Sequence, residues 1–259
     1  MKLRTSGARL LTSDRVSLAG RCWDTESTAR AGVVLVHGFA ATCDQPPVVA
    51  VAEELRGHGL RVVSYDGRGH GRSGGDCTLG DREQLDVAAA VDLARDGGRP
   101  VVIVGASMGA IAALRYAAGP VVDPGLVGVV AVSSPAGWRL PRNARSVLAA
   151  GLTRTRLGRL LARRHLRVRL SSKWASPEPP LELVARVQVP IAFVHGERDR
   201  FIPARDVYEL FAAAPEPRHL EVVPGMGHAY DVAAVPAIVR AVDWALERAA
   251  VPTASSLPA

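Results

Sequence analysis

Again and again the chain returns to short, nearly continuous apolar runs. They are GVVLVH (32–37), RVVSYD (61–66), PVVIVG (100–105), LVGVVAVS (126–133) and VPIAFVH (189–195). A strand with one face in water alternates apolar and polar residues, so runs that do not alternate predict strands covered on both faces. The segments between them carry helical patterns, over about Pro46–His58, Asp81–Arg95, Met108–Ala118 and Ala204–Ala214. Two further strands open the chain, Leu3–Thr12 and Val16–Trp23, joined at Ser13-Asp14-Arg15. A last strand, Arg218–Pro224, precedes a closing helix over Ala233–Ala250. Such alternation predicts an α/β fold: a mostly parallel wound sheet of about eight strands with helices on both faces.

The rhythm breaks once, over roughly residues 134–185. The expected organisation is therefore a core built from 1–133 and 186–250, a short helical cap insertion at 134–185, and a flexible tail at 251–259. A chain of 259 residues, 48% of them hydrophobic, can bury one large core. No apolar stretch reaches the ~18 residues of a membrane span, and the N-terminus lacks the apolar segment of a secretory signal. Cys22, Cys43 and Cys77 are odd in number and not spaced as metal ligands, so neither a disulfide framework nor a metal site is indicated. A cytoplasmic location is the resulting expectation.

In wound sheets chemistry sits beyond the carboxyl ends of the strands, so the residues after each strand are the ones to inspect. The pattern G-x-S-x-G occurs twice, around Ser107 (GASMG) and around Ser73 (GRSGG). A nucleophile elbow needs a strand entering, a sharp turn at the serine and a helix leaving. Ser107 has all three, with VVIV before it and an Ala-rich helical run after it. Ser73 has neither flank and reads as part of a glycine-rich turn.

A serine hydroxyl needs a base, and the base needs an orienting acid. Of seven histidines, His228 lies just past the last strand in VVPGMGHAYD, at the carboxyl edge of the sheet. His37 and His195 end strands and are expected to pack or hydrogen-bond near the site. His58 and His165 read as surface residues, His70 belongs to the glycine-rich loop, and His219 opens a strand at the wrong end. The acid is expected in HGERDRFIP, where Asp199 is better placed than its competitor Glu197. The order Ser107, Asp199, His228 is that of the α/β-hydrolase triad. Oxyanion donors would be the backbone N–H of Met108, at a helix N-terminus, and that of Phe39, in the loop after GVVLVH.

With these residues assembled, the chain resembles the α/β-hydrolase superfamily over nearly its whole length. VVLVHGFAATCDQPPVVAVAEELRGHGLRVVSYDGRGHGRSGG, GASMGA, HGERDRFIP and PGMGHAY carry the resemblance. They are most similar to the lysophospholipase, monoacylglycerol lipase and serine aminopeptidase-like branch, although Ala106 replaces the histidine often found before the serine. The resemblance implies a serine hydrolase of carboxylic esters, with no metal or organic cofactor and a small acyl ester as substrate. An acyl thioesterase and a slow-turnover ligand receptor on the same fold are the alternatives.

The insertion departs from that pattern. Between Asp123 and Glu178 there is no acidic residue, while ten arginines and Lys173 fall in the stretch; the remainder of the chain is net acidic. In GLTRTRLGRLLARRHLRVRL, Leu157, Leu160 and Leu161 fall at i, i+3, i+4 with arginines interleaved. This predicts a basic amphipathic helix suited to covering the site, attracting an anionic substrate, or making peripheral contact with a membrane. Nucleic acid is not expected, since no aromatic residue interleaves with the arginines until Trp174.

Overall fold

A computed structural model of the chain describes residues 5–25, 28–121, 123–138, 155–173 and 177–250. The expected tail, the first part of the expected insertion (139–154) and Trp174 lie outside the described residues. Eight strands form one sheet: β1 (Thr5–Leu11), β2 (Ser17–Trp23), β3 (Gly32–Val36), β4 (Arg61–Tyr65), β5 (Val101–Ala106), β6 (Leu126–Val132), β7 (Ile191–Gly196) and β8 (Arg218–Val223). Their order is β1-β2-β4-β3-β5-β6-β7-β8. The first hairpin is antiparallel, β2 joins β4 antiparallel, and every later pairing is parallel. Sheet, strand count and parallel character are as the apolar runs predict.

The helices are α1 (Pro46–Gly57), α2 (Glu83–Ala94), α3 (Met108–Ala117), α4 (Arg156–Leu161), α5 (Pro180–Val184), α6 (Ala204–Ala213) and α7 (Val235–Ala249). A π-helical turn, Ala162–Leu166, continues α4, and a 3-10 turn, Val232–Ala234, leads into α7. The closing helix thus starts two residues later than the sequence pattern implied, because Pro236 suits a first turn and not an interior.

The lack of polar alternation along β3 follows from what covers it. Val34 and Val36 of β3 point into one core with α2, α3, α5 and α6, while Val33 and Leu35 point into a second with α1 and α7. Both faces are covered, so no polar position was available in β3. Helix α7 buries Ala237, Ile238, Ala241, Val242 and Ala245, a stripe at helical spacing, against this second face. Leu183 and Val184 of α5 join the first core, so the chain is back in the core by the end of the expected insertion.

The loop after β4 is fixed by a buried ion pair. Arg68 donates from its backbone N–H and its guanidinium to both oxygens of Asp86 on α2, at 2.8–2.9 Å, with Asp86 wholly buried. The same guanidinium reaches Asp14 in the first hairpin turn at 2.9 Å and 3.1 Å. Its hydrogen bond to Arg68 holds the Asp14 carboxyl down at about 2, against the desolvation that partly offsets it. One side chain therefore ties the first hairpin, α2 and the glycine-rich loop together. Replacing Arg68 by Leu leaves the buried Asp86 with the backbone N–H but no cationic partner, and removing one member of a buried pair costs about 3–5 kcal/mol. We expect a loss of that size in urea unfolding; a change near zero would show that the pair does not hold the loop.

Candidate active site

Ser107 stands between β5 and α3, with φ 54° and ψ −114°. This is the left-handed region that non-glycine residues avoid, and it persists only where packing on both sides dictates it. Two glycines let that packing close. A Cβ on Gly109 would collide with the carbonyl oxygens of Val36 and His37, and one on Gly105 with the carbonyl of Gly109. The start of α3 therefore lies directly on the end of β3, and the turn lifts Oγ clear of the sheet. Val132 of β6 accepts the Ser107 N–H at 2.9 Å and fixes the turn from the other side.

The structure brings Ser107, His228 and Asp199 together. His228 Nδ1 lies 2.7 Å from Asp199 Oδ2, and its Nε2 lies 3.1 Å from Ser107 Oγ. A carboxylate only accepts, so Nδ1 carries the proton and Nε2 is left to accept from the serine hydroxyl. The Asp199 side chain is fully buried, and burial works to raise its pKa. The hydrogen bond from His228 and the N–H groups of Phe201 and Ile202, at 2.8 Å and 3.0 Å on Oδ1, outweigh burial and hold the carboxyl below its usual range. Glu197 points elsewhere, accepting from Gly225 N–H at 3.2 Å. The Phe201 ring, half exposed, sits 5.0 Å from the imidazole.

The loops bearing Asp199 and His228 are packed on each other: a Cβ on Gly196 would meet the backbone of Met226 and Gly227, and Arg198 N–H donates to Met226 at 2.9 Å. The loop bearing His228 is anchored further by Ser133, whose Oγ accepts Ala229 N–H at 3.2 Å. Tyr230 is buried, its hydroxyl 2.7 Å from the Val104 carbonyl and 3.2 Å from that of Val36. Neither Ser133 nor Tyr230 stands out in the sequence, since a serine ending a strand and a tyrosine after His228 are unremarkable in type.

Phe39 and Met108 share a small cluster with Cys77, Ala162, Val168 and Leu170. Gly38 lies against Ser107, where a Cβ would stand 3.3 Å from Ser107 Cβ. Two histidines hold this loop. His37 Nε2 accepts Gly67 N–H at 2.9 Å, so Nδ1 donates to the Gly38 carbonyl at 2.7 Å. His70 Nε2 accepts Ala40 N–H at 3.2 Å, and Nδ1 donates to the Arg68 carbonyl at 3.0 Å. Sequence position had assigned His70 only to a turn. Ser73, the serine of the second G-x-S-x-G, is buried in the same turn, accepting Ala19 N–H at 2.9 Å and donating to the Asp66 carbonyl. Among the described residues, no group of three or more His, Cys, Asp or Glu converges as a metal site.

Against known proteins, the model of the alpha/beta hydrolase family matches residues 33–241. The chain belongs to that family. A monoacylglycerol lipase of Mycolicibacterium smegmatis is 28% identical over 253 residues, covering 80% of this chain and 84% of that one. An uncharacterized Mycobacterium tuberculosis protein is 29% identical over 229 residues, covering 84% and 70%. Among solved structures, the Pyrococcus furiosus esterase Pf2001 superposes with a TM-score of 0.71 at 24% identity, covering 95% of this chain and 93% of that one. At that identity the structural likeness speaks for the fold.

In this alpha/beta hydrolase both loop-holding histidines must be neutral, because a proton on Nε2 would face a donor. Burial lowers His37 to about 4 and also lowers His70. A depressed histidine contributes stability that is complete above its unfolded pKa of ~6.5 and is lost as pH falls toward the folded value. From pH 7 to pH 5 the His37 share of that loss is about 2 kcal/mol. His37→Gln should shrink the difference in unfolding free energy between these pH values by about that amount. An unchanged difference would mean that His37 does not carry this pH dependence.

Proposed function

We infer that the protein is a serine hydrolase of carboxylic esters. One observation carries the reading: the unbroken run of hydrogen-bonding distances from Ser107 Oγ through His228 to a buried, ionised Asp199. Ser107 Oγ attacks the acyl carbon while His228 Nε2 takes the hydroxyl proton. Asp199 keeps Nδ1 protonated and faces the imidazolium that forms, so the base cannot present the wrong tautomer. The oxyanion is received by the backbone N–H groups of Met108 and Phe39, one at the start of α3 and one in the loop beside Ser107. Losing such a donor typically costs ~10²–10³ in kcat. The imidazolium then protonates the leaving alcohol, and water, activated by the same base, releases the acyl group.

Family membership supports hydrolysis, and the lipase and esterase likenesses support an ester as the bond cleaved. The test is turnover of short p-nitrophenyl esters together with labelling by a fluorophosphonate. We expect Ser107→Ala to lose about 10⁴-fold or more in kcat and to abolish labelling. Asp199→Asn should lose about 10⁴-fold with little change in KM, because the tautomer is no longer enforced. A wild-type protein that turns over no ester, with Ser107 inert to the probe, would overturn the reading. Faster turnover of an acyl-CoA than of the matching oxyester would reassign the substrate to thioesters.

A further inference from the structure

The arginine-rich segment turns the wrong way for a lid that merely packs on its own enzyme. Its inner side is made of small and aliphatic residues: Gly158 and Ala162, one helical turn apart, are buried, and Ala162, Val168 and Leu170 pack with Met108, Phe39 and Cys77. The stripe Leu157, Leu160 and Leu161, which a basic amphipathic helix would bury, faces away, with exposures of 66%, 60% and 41%. Leu166, at the end of the π-helical turn, is 38% exposed beside them. Four of the nine large hydrophobic side chains exposed among the described residues thus fall within ten residues of sequence.

The charges around these leucines are equally unmatched. Arg156, Arg163, Arg164 and Arg167 are exposed and Arg159 half-buried. None of the five pairs with a carboxylate among the described residues, whereas Arg21, Arg30, Arg61, Arg68, Arg95, Arg186 and Arg240 all do. The neighbouring Arg169 is different: its guanidinium is spent on the Ser73 and Gly75 carbonyls and holds the segment to the core. A surface that offers leucines and unpaired guanidinium groups together suits a partner that is apolar beneath an anionic skin.

We propose that α4 and its π-helical turn seat the protein on the surface of an anionic lipid bilayer, the four leucines entering the interface and the five arginines meeting headgroup phosphates. An aqueous anion would be met by the arginines but leaves the leucines unexplained, and the excess of positive charge disfavours a second copy of the same face. The contact places the Ser107 side of the sheet toward the membrane, since the inner side of the same segment lies on Met108. It stands independently of the ester-hydrolase reading, because binding needs no turnover.

Co-sedimentation with sucrose-loaded vesicles tests it, using wild type and Ser107→Ala in parallel. Vesicles are phosphatidylcholine alone or with about 30 mol% phosphatidylglycerol, for which each basic residue near the surface is worth roughly fivefold in partition. We expect at least about tenfold tighter binding to the anionic vesicles in 0.1 M salt, falling when ~1 M salt cuts the Debye length from about 10 Å to 3 Å. Leu157→Asp with Leu160→Asp, and separately Arg163→Glu with Arg164→Glu, should each lower that binding about tenfold or more. These side chains are exposed, so unchanged thermal melting is the control that the variants are folded. Equal binding to both vesicle types, no binding, or binding indifferent to either pair overturns the proposal. So does a concentration-dependent dimer that Leu160→Asp dissolves while vesicles are ignored, which would give the face to a second copy.

Discussion

The approach of α3 to β3 governs the rest of the molecule. Without a side chain at Gly109, the helix rests on the Val36 and His37 carbonyls; without one at Gly105, the strand can turn straight into the helix. The chain between them has one residue in which to reverse, and Ser107 takes the left-handed backbone that this demands. Strain of this kind is of order 1–3 kcal/mol and survives only if the surroundings fix every alternative. Here β6 fixes it through Val132, β3 through direct contact, and the two cores through helices on both faces. The Ser107 hydroxyl is therefore placed by the centre of the sheet, and the loops bearing Asp199 and His228 reach it from neighbouring strands.

They do so through a second tier of contacts in which neutral tyrosine and histidine side chains hold the loops and arginines hold the turn behind them. Tyr230 sets its hydroxyl against carbonyls of β3 and β5, so the loop bearing His228 is referenced to the same two strands that hold Ser107. His37 and His70 bind the loop of Gly38 and Ala40 through fixed neutral tautomers. The glycine-rich turn behind them is shared: Arg68 anchors it to α2, Ser73 to β2, and Arg169 ties the segment after α4 to it. Cys77 completes the connection, bridging to Leu170 while its sulfur lies 3.6 Å from that of Met108.

How much of this could be read beforehand depended on whether a residue's surroundings were local in sequence. The sheet was legible because burial on both faces removes polar residues from β3, β5 and β6 outright. Ser107 was distinguishable from Ser73 because an elbow is defined by the strand and helix on either side of it. Asp199 and His228 were found as residues that follow strands. His70 and Tyr230 escaped because their partners, Ala40 and the Val36 and Val104 carbonyls, lie thirty or more residues away and leave no mark on nearby composition. The helical spacing of Leu157, Leu160 and Leu161 was legible too, but spacing names a face without saying which way it turns.

That orientation follows from what lies beneath. The segment crosses close above Met108 and Phe39, and a leucine stripe directed inward would have to stand where Gly158 and Ala162 now touch the core. Small residues at these two positions bring the backbone down, which lets Val168 and Leu170 pack and lets Arg169 donate to Ser73 and Gly75. With the inner side assigned to close approach, the bulky residues have only the outer side left. The placement of the leucines is in this sense dictated by the same close packing of backbone on backbone that shapes the turn at Ser107: small residues where elements must touch, and larger side chains directed to where space remains.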